Sequence, residues 1–430
     1  MGTQASEVPA KAWVVTFAGM ACNLCLGILY AWSVWKGVLI GGKLGDPIVI
    51  KGVVQEGWVY LTDAQATVAY TVCGLVFAVF MIPGGRIQDK YGPKFGATLG
   101  GLLLAVGCIV AGLMHSFTGL IIGYGILGGI GMGIGYAAPT PAALKWFGPH
   151  KRGMIAGIVV AGYGAAALYI APLGQFLIDN YGLSASFIYL GIFFAVVVVI
   201  AGQFLSNPPA GYVPPAAPVS AGAPAKAATA TADWAPSEML GKWQFYALVL
   251  LFIGSAQSGL LIIGNAAPIL GKTAKAVPFL AANIWIIASF GGLMNALGRI
   301  GTGMYSDKIG RRNAYLVNGI ISAICLLALP HIIDAQSVPL LFLAVAIAYW
   351  QYGGGLSLLP TFTADFFGSK HMGANYGFVF LGWGLGFLMP LLAGYIKDWT
   401  HSYTTSLYIS ATILIVAVIL CAITKKPVKE

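Results

Sequence analysis

The sequence predicts an all-α membrane protein with twelve transmembrane helices in two pseudo-symmetric six-helix halves. Three observations lead there. The 430 residues are 58% hydrophobic and only 8% charged, with a mean hydropathy of +0.84, whereas a soluble domain carries about a quarter charged residues. Apolar runs long enough to cross a bilayer, about 20 residues, recur along the whole chain. A loop motif occurs twice, starting at Gly85 and at Gly303, with identical internal spacing.

Six runs fall at 12–40, 61–83, 95–114, 117–144, 153–178 and 185–205. Six more fall at 244–270, 278–304, 313–333, 337–361, 372–396 and 403–423. Lys11 is the single basic residue before the first run, which is longer than the apolar core of a cleavable signal peptide. It reads as the first membrane helix. Residues 207–237 are rich in Pro, Ala, Gly and Ser, a composition that favours extended chain over a packed core. The division is therefore residues 1–206 as the N-terminal half, 207–243 as a cytoplasmic linker and 244–430 as the C-terminal half.

The net charge of +10 does not signal nucleic acid, because the basic residues sit in alternate loops. Lys36 and Arg299 lie within or at the end of apolar runs; sixteen of the other Lys and Arg fall on one side and five on the other. The positive-inside rule then puts both termini and the linker in the cytoplasm, as in a multi-pass protein of a bacterial-type inner membrane. All six cysteines fall in apolar runs. Cys22 and Cys25 form a CxxC without a second ligand pair and read as packing residues. The histidines lie at span ends or in loops, so neither a metal site nor a cofactor is expected. Gly123, Gly125 and Gly128 imitate a dinucleotide fingerprint. That fingerprint needs a strand before it and a soluble helix after it; inside an apolar run, the glycines read as close helix packing. No nucleophile–base pair or metal cluster lies at membrane depth, so an enzyme is not expected.

Arg299 is the most telling residue. It lies within the apolar stretch from Pro278 to Met304, which contains no acid. A guanidinium at membrane depth faces the protein interior or a water-filled path and needs a partner. With no acid nearby, an anionic substrate fits, and a planar guanidinium offers a bidentate fork to a carboxylate. Asn295, four residues earlier on the same helix face, is the candidate hydrogen-bond partner. Tyr136 is a candidate hydroxyl donor. One of Tyr349, Trp350 and Tyr352 is expected to line the path. Lys36, near the end of its run, reads as a lysine snorkelling to the outer interface.

The duplicated motif is Gly85-Arg86-Ile87-Gln88-Asp89-Lys90-Tyr91-Gly92-Pro93-Lys94 and Gly303-Met304-Tyr305-Ser306-Asp307-Lys308-Ile309-Gly310-Arg311-Arg312. Its two glycines allow a tight turn between helices, and its aspartate is expected near the N-terminus of the following helix, where the dipole favours an anion. Gly85, Asp89, Lys90, Gly303, Asp307 and Lys308 are its gating and structural residues. A second pair, Phe147-Gly148 to Gly157 and Phe367-Gly368 to Gly377, repeats at nearly the same offset. The doubled motif resembles the major facilitator superfamily and implies the major facilitator fold.

Two further stretches, Trp146 to Gly164 and Asp365 to Gly377, resemble the monocarboxylate transporter family and its bacterial oxalate–formate-like branch, as does Gly27 to Trp35. By this resemblance Arg299 matches the eighth-helix arginine that binds the substrate carboxylate. Tyr30, Tyr136, Tyr163 and Tyr349 gain support as site residues. Asn295 stands where animal members carry an aspartate implicated in proton coupling. The family's first-helix lysine has only Lys36 as a candidate. Oxalate-transporting relatives carry a second cation in helix eleven, whereas 372–396 holds no Lys or Arg. The expectation is secondary active transport of a small, lactate-like monocarboxylate by proton symport and alternating access. A carboxylate exchanger of the oxalate/formate type is the alternative. Asp63, Asp89, Asp307 and Asp365 are the acids nearest a pathway. Substrate, proton and lipid bilayer are the expected partners; no protein partner is required.

Overall fold

A computed structural model describes residues 7–148, 151–215, 233–368 and 371–428. Most of the linker (216–232) and the residues 149–150 and 369–370, within the two stretches that carry the narrower resemblance, lie outside them. Helices dominate. The first six long ones are α1 (Ala10–Leu39), α2 (Asp63–Tyr91), α3 (Pro93–Met114), α4 (Phe117–Leu144), α5 (Arg152–Tyr181) and α6 (Leu183–Phe204). The second six are α7 (Trp243–Thr273), α8 (Trp285–Ile309), α9 (Arg311–Asp334), α10 (Val338–Phe367), α11 (Ala374–Thr400) and α12 (Thr404–Ile423). All but α8 are long and apolar enough to cross a membrane. The exception, 25 residues long, carries Arg299 and the charged end of the second motif. Outer faces present residues such as Phe17, Val196, Ile324 and Ile419, each more than half exposed, as a lipid-facing surface requires.

Several helices outrun their apolar stretches. α2 starts on a capping box, Thr62 with Gln65, which satisfies two of its orphan N–H groups, and it continues through the charged motif to Tyr91. The turn that follows is made by Gly92 at φ 86°, and its counterpart Gly310 also has φ 86°. That left-handed backbone favours glycine. Only the second glycine of each motif turns the chain; Gly85 and Gly303 sit inside helices with open space beside them. Asp89 and Asp307 likewise occupy the last turn of α2 and α8, and Asp307 pairs with Arg311 at 2.5 Å in the first turn of α9. Arg311 also reaches Asp365 at 4.0 Å. The aspartate thus belongs to the helix it ends, because the turn is a single residue.

Three local departures shape the bundle. α1 tightens to a 3-10 turn at Gly27–Ala31, where a Cβ on Gly27 would lie 2.4 Å from Ala166 Cβ. α4 widens to π geometry over Leu120–Gly128, the stretch that imitated a dinucleotide loop. Its glycines instead bring α3 against α4: a Cβ on Gly100 would stand 2.2 Å from Gly135 N, and one on Gly123 2.5 Å from Ala111 N. α8 starts later than its apolar run because Pro278–Ala282 forms a separate short helix. Between α1 and α2 lies a hairpin, β1 (Pro47–Ile50) and β2 (Val53–Val59), paired antiparallel. Its Trp58 indole donates to Ser184 Oγ at 2.7 Å, and Gln55 Oε1 accepts from Leu183 N at 3.0 Å, so it clamps the α5–α6 turn.

The α3–α4 contact makes a test. Gly100→Val would push a branched side chain into backbone, and overpacking costs about 1–3 kcal/mol or more. A lower thermal midpoint and reduced monodisperse yield in detergent are expected; an unchanged midpoint would place these helices further apart.

Candidate functional site

Glycines on α8 decide where Arg299 can go. A Cβ on Gly292 would sit 3.0 Å from Ala167 Cβ of α5, and one on Gly298 would sit 2.4 Å from Trp350 O of α10. α8 therefore lies tightly between α5 of the first half and α10 of the second. Arg299 points inward from its middle and is 2% exposed. Its Nε donates to Asn295 Oδ1 at 3.1 Å, one guanidinium nitrogen to Val160 O at 3.2 Å, and the other to Tyr30 OH at 3.1 Å. The ring of Tyr30 also faces it, 5.9 Å from centroid to guanidinium carbon. Gly164 supplies room, since a Cβ there would come 3.0 Å from Arg299 Nε. Ser357 of α10 donates to the Arg299 carbonyl at 2.7 Å.

The three acceptors bonded to this cation are all neutral. Among the described residues, no ion pair with a carboxylate involves Arg299. A guanidinium has five N–H donors, so donors remain for a further acceptor. Asn295 adds one: its oxygen is taken by Arg299, while its Nδ2 is buried without a partner. An unpartnered buried donor beside an uncompensated cation is an environment that an anion completes.

The aromatic groups around them fall into two sets. Tyr30 shares a hydroxyl hydrogen bond of 2.8 Å with Tyr352, which accepts from the Trp383 indole at 2.7 Å. An indole and a guanidinium can only donate. One hydroxyl hydrogen of the Tyr30–Tyr352 pair is therefore free of both neighbours. Tyr163 and Tyr136 form a wall. Tyr163 packs edge-on against Tyr30 and Tyr136, each at 5.1 Å, and its hydroxyl turns to Met132 Sδ at 3.6 Å. Tyr136 is half-buried and lies within electrostatic reach of Arg299. Phe77, Phe380 and Trp383 close the aromatic wall around them.

The structure thus gathers Arg299, Asn295, Tyr30, Tyr136 and Tyr163 in one place. Tyr349 stands apart from the Arg299 hydrogen bonds. It packs over Gly291, and its hydroxyl has no partner. Tyr352, three residues on, takes the polar role. Trp383 and the Val160 carbonyl were not anticipated. The first had a signal, since Phe380, Trp383 and Phe387 recur at helical spacing on α11; a backbone carbonyl has none. Lys36 does not snorkel. It is fully buried, bonded to Asp63 Oδ1 at 2.6 Å and to Asn265 Oδ1 at 2.5 Å, because α7 covers the side of α1 that it leaves from. The motif residues Asp89, Lys90, Asp307 and Lys308 are exposed at the end of the bundle where α2 and α8 finish.

The family model described as Major Facilitator Superfamily matches residues 12–386 and 283–430. An uncharacterized MFS-type transporter of Escherichia coli (strain K12), YhjX, is 26% identical over 381 residues, 89% of this chain and 87% of the relative. The oxalate:formate antiporter of Oxalobacter formigenes is 30% identical over 315 residues, 73% of this chain and 71% of the relative. Monocarboxylate transporter 12 of Rattus norvegicus is 24% identical over 363 residues, 80% and 74% of the two chains. With the family match spanning the helices from α1 to α12, the chain belongs to the major facilitator superfamily of membrane transporters.

Proposed function

We propose that this protein carries a small monocarboxylate, lactate-like in size, across a bacterial-type inner membrane together with a proton. The observation that supports this most directly is Arg299: a buried cation held only by neutral groups, beside an orphaned amide donor. A substrate carboxylate supplies the missing anion. It takes the guanidinium's unspent donors, with Asn295 and the free hydroxyl of the Tyr30–Tyr352 pair orienting it. Tyr136, Tyr163, Phe77 and Trp383 form a wall that favours a short apolar tail. One cation suits one carboxylate, and a proton travelling with it makes the event electroneutral. Tyr349 contributes from the edge, as a hydroxyl donor that a longer substrate would meet.

The cycle is alternating access. Residues 1–206 and 244–430 rock about Arg299, which touches both through Val160 and Asn295, and residues 207–243 tether them on the cytoplasmic side with both termini. Gly92 and Gly310 make the turns at that end, with Asp89, Lys90, Asp307 and Lys308 exposed beside them and Gly85 and Gly303 inside the helices that lead to them. Relatives named as an oxalate:formate antiporter and a monocarboxylate transporter fit a carboxylate substrate while differing in coupling.

Uptake of labelled L-lactate into proteoliposomes tests the reading. An inward proton gradient is expected to drive accumulation by wild type and not by Arg299→Ala. Uptake that ignores the gradient but is stimulated by internal formate or oxalate would replace symport with exchange. Arg299→Lys keeps the charge but loses the planar fork; a rise in KM of roughly tenfold or more is expected, since charge-assisted pairs are about twice as strong as neutral ones. Tyr30→Phe removes a hydroxyl bonded to both Arg299 and Tyr352, and the net loss of one hydrogen bond is worth about 0.5–1.5 kcal/mol. Its KM for lactate should rise roughly two- to tenfold with little change in maximal rate; an unchanged KM would remove Tyr30 from the site.

A further inference from the structure

The bundle holds a second charged cluster that the carboxylate site does not use. Asp63, the first residue of α2, has a fully buried side chain. Each oxygen is occupied. Oδ1 takes Lys36 Nζ of α1 at 2.6 Å; Oδ2 takes Lys397 Nζ of α11 at 2.8 Å and Tyr403 OH at 2.7 Å. Lys36 is bonded onward to Asn265 Oδ1 of α7 at 2.5 Å. Asp398 of α11 completes the cluster from the other direction: its two oxygens accept the backbone N–H of Asp63 and of Ala64, each at 2.8 Å. A carboxylate of one half thereby caps the N-terminus of a helix in the other half, where the helix dipole favours an anion. Lys272, at the end of α7, stands 5.7 Å from the Tyr403 ring.

Two features set this cluster apart. The four groups in direct contact, Lys36, Asp63, Lys397 and Asp398, balance to zero charge. Nearly every bond runs between α1 or α2 on one side and α7, α11 or Tyr403 on the other. Backbones meet there as well, since a Cβ on Gly394 would lie 2.8 Å from Ala64 Cα. The end where α2 and α8 finish differs. The ion pairs of Arg311 with Asp307 and Asp365 at that end stay within the second half. Removing one partner of a buried pair strands the other's charge, whereas parting the halves to admit water releases all of them. Such an arrangement suits a contact that must break and re-form, with fixed register.

The geometry points to the Asp63–Lys36–Lys397–Asp398 cluster as the latch that closes the end of the carrier opposite its N-terminus. This inference rests on the alternating-access part of the proposed function and not on the identity of the substrate. With the latch made, a path to Arg299 can open only at the end where α2 and α8 finish. Breaking it lets α7 and α11 swing from α1 and α2 and opens the site to the other side.

The test measures distances in the purified full-length protein without substrate. Nitroxide labels at Leu44→Cys and Phe279→Cys, both well exposed, report on the latched end. Labels at Tyr91→Cys and Ile309→Cys report on the other. The half-buried native Cys325 is replaced by Ala. Wild type is expected to show a short distance at the latched end. Asp63→Asn and Lys397→Met are each expected to shift population to a longer distance there, roughly tenfold or more, with the opposite end shortening in step. Three results would overturn the proposal: wild-type distributions in both variants, widening at both ends at once, or a latched end already wide in wild type. Should Asp63→Asn fail to fold, Lys397→Met alone decides. Failure of lactate uptake would leave these distances untouched, so the two readings fail separately.

Discussion

A guanidinium at membrane depth must be given acceptors, and much of the arrangement in the middle of this bundle follows from how Arg299 receives them. Three neutral acceptors come from three directions: a side chain one turn back on its own helix, a carbonyl of α5 and a phenol of α1. For the carbonyl to come within reach, α5 and α8 must approach closely, which Gly164 and Gly292 permit. For the phenol to come within reach, α1 must tighten at Gly27–Ala31. The 3-10 turn, the small residues of α5 and α8 and the aromatic wall behind Tyr30 are consequences of housing one charge without neutralising it. A buried acid would offset the charge by direct attraction, at the cost of desolvating a second ion, and would leave nothing for a ligand to do.

The legible part of the fold was what lipid dictates. Backbone groups in hydrocarbon must be satisfied within the segment, so apolar length alone located the helices, and the paired motif exposed the repeat. Helix ends were less legible, because polar sequence can remain helical beyond the apolar core, as in α2 to Tyr91 and α10 to Phe367. The hairpin between α1 and α2 leaves little trace in the sequence. Its valines alternate poorly, and its anchors, Ser184 and Leu183, lie far along the chain.

At the candidate site, Arg299 and Asn295 stood out because charge and an amide are rare in apolar helix and their spacing is local. Tyrosines are common in membrane proteins for other reasons, so nothing short of tertiary packing could separate Tyr352, which joins the chain of hydroxyls, from Tyr349, which does not. Lys36 was misread on the same account. A lysine near a helix end usually reaches for water; whether another helix stands in its way depends on α7, more than two hundred residues later. Buried ion pairs between distant segments leave no mark in a single sequence beyond the presence of their charges.

The hairpin carries an implication for the mechanics. Its anchors all belong to the first half: Trp58 to Ser184, Gln55 to Leu183, and Gly57 against His115. It therefore splices three separate inter-helix turns into one stiff plate, so that α1 through α6 share a common handle. At its tip, Lys51 and Gly52 both sit at positive φ, and a Cβ on Gly52 would meet open space. A fluorophore or an inserted epitope there would ride on that plate as a marker of the first half's orientation.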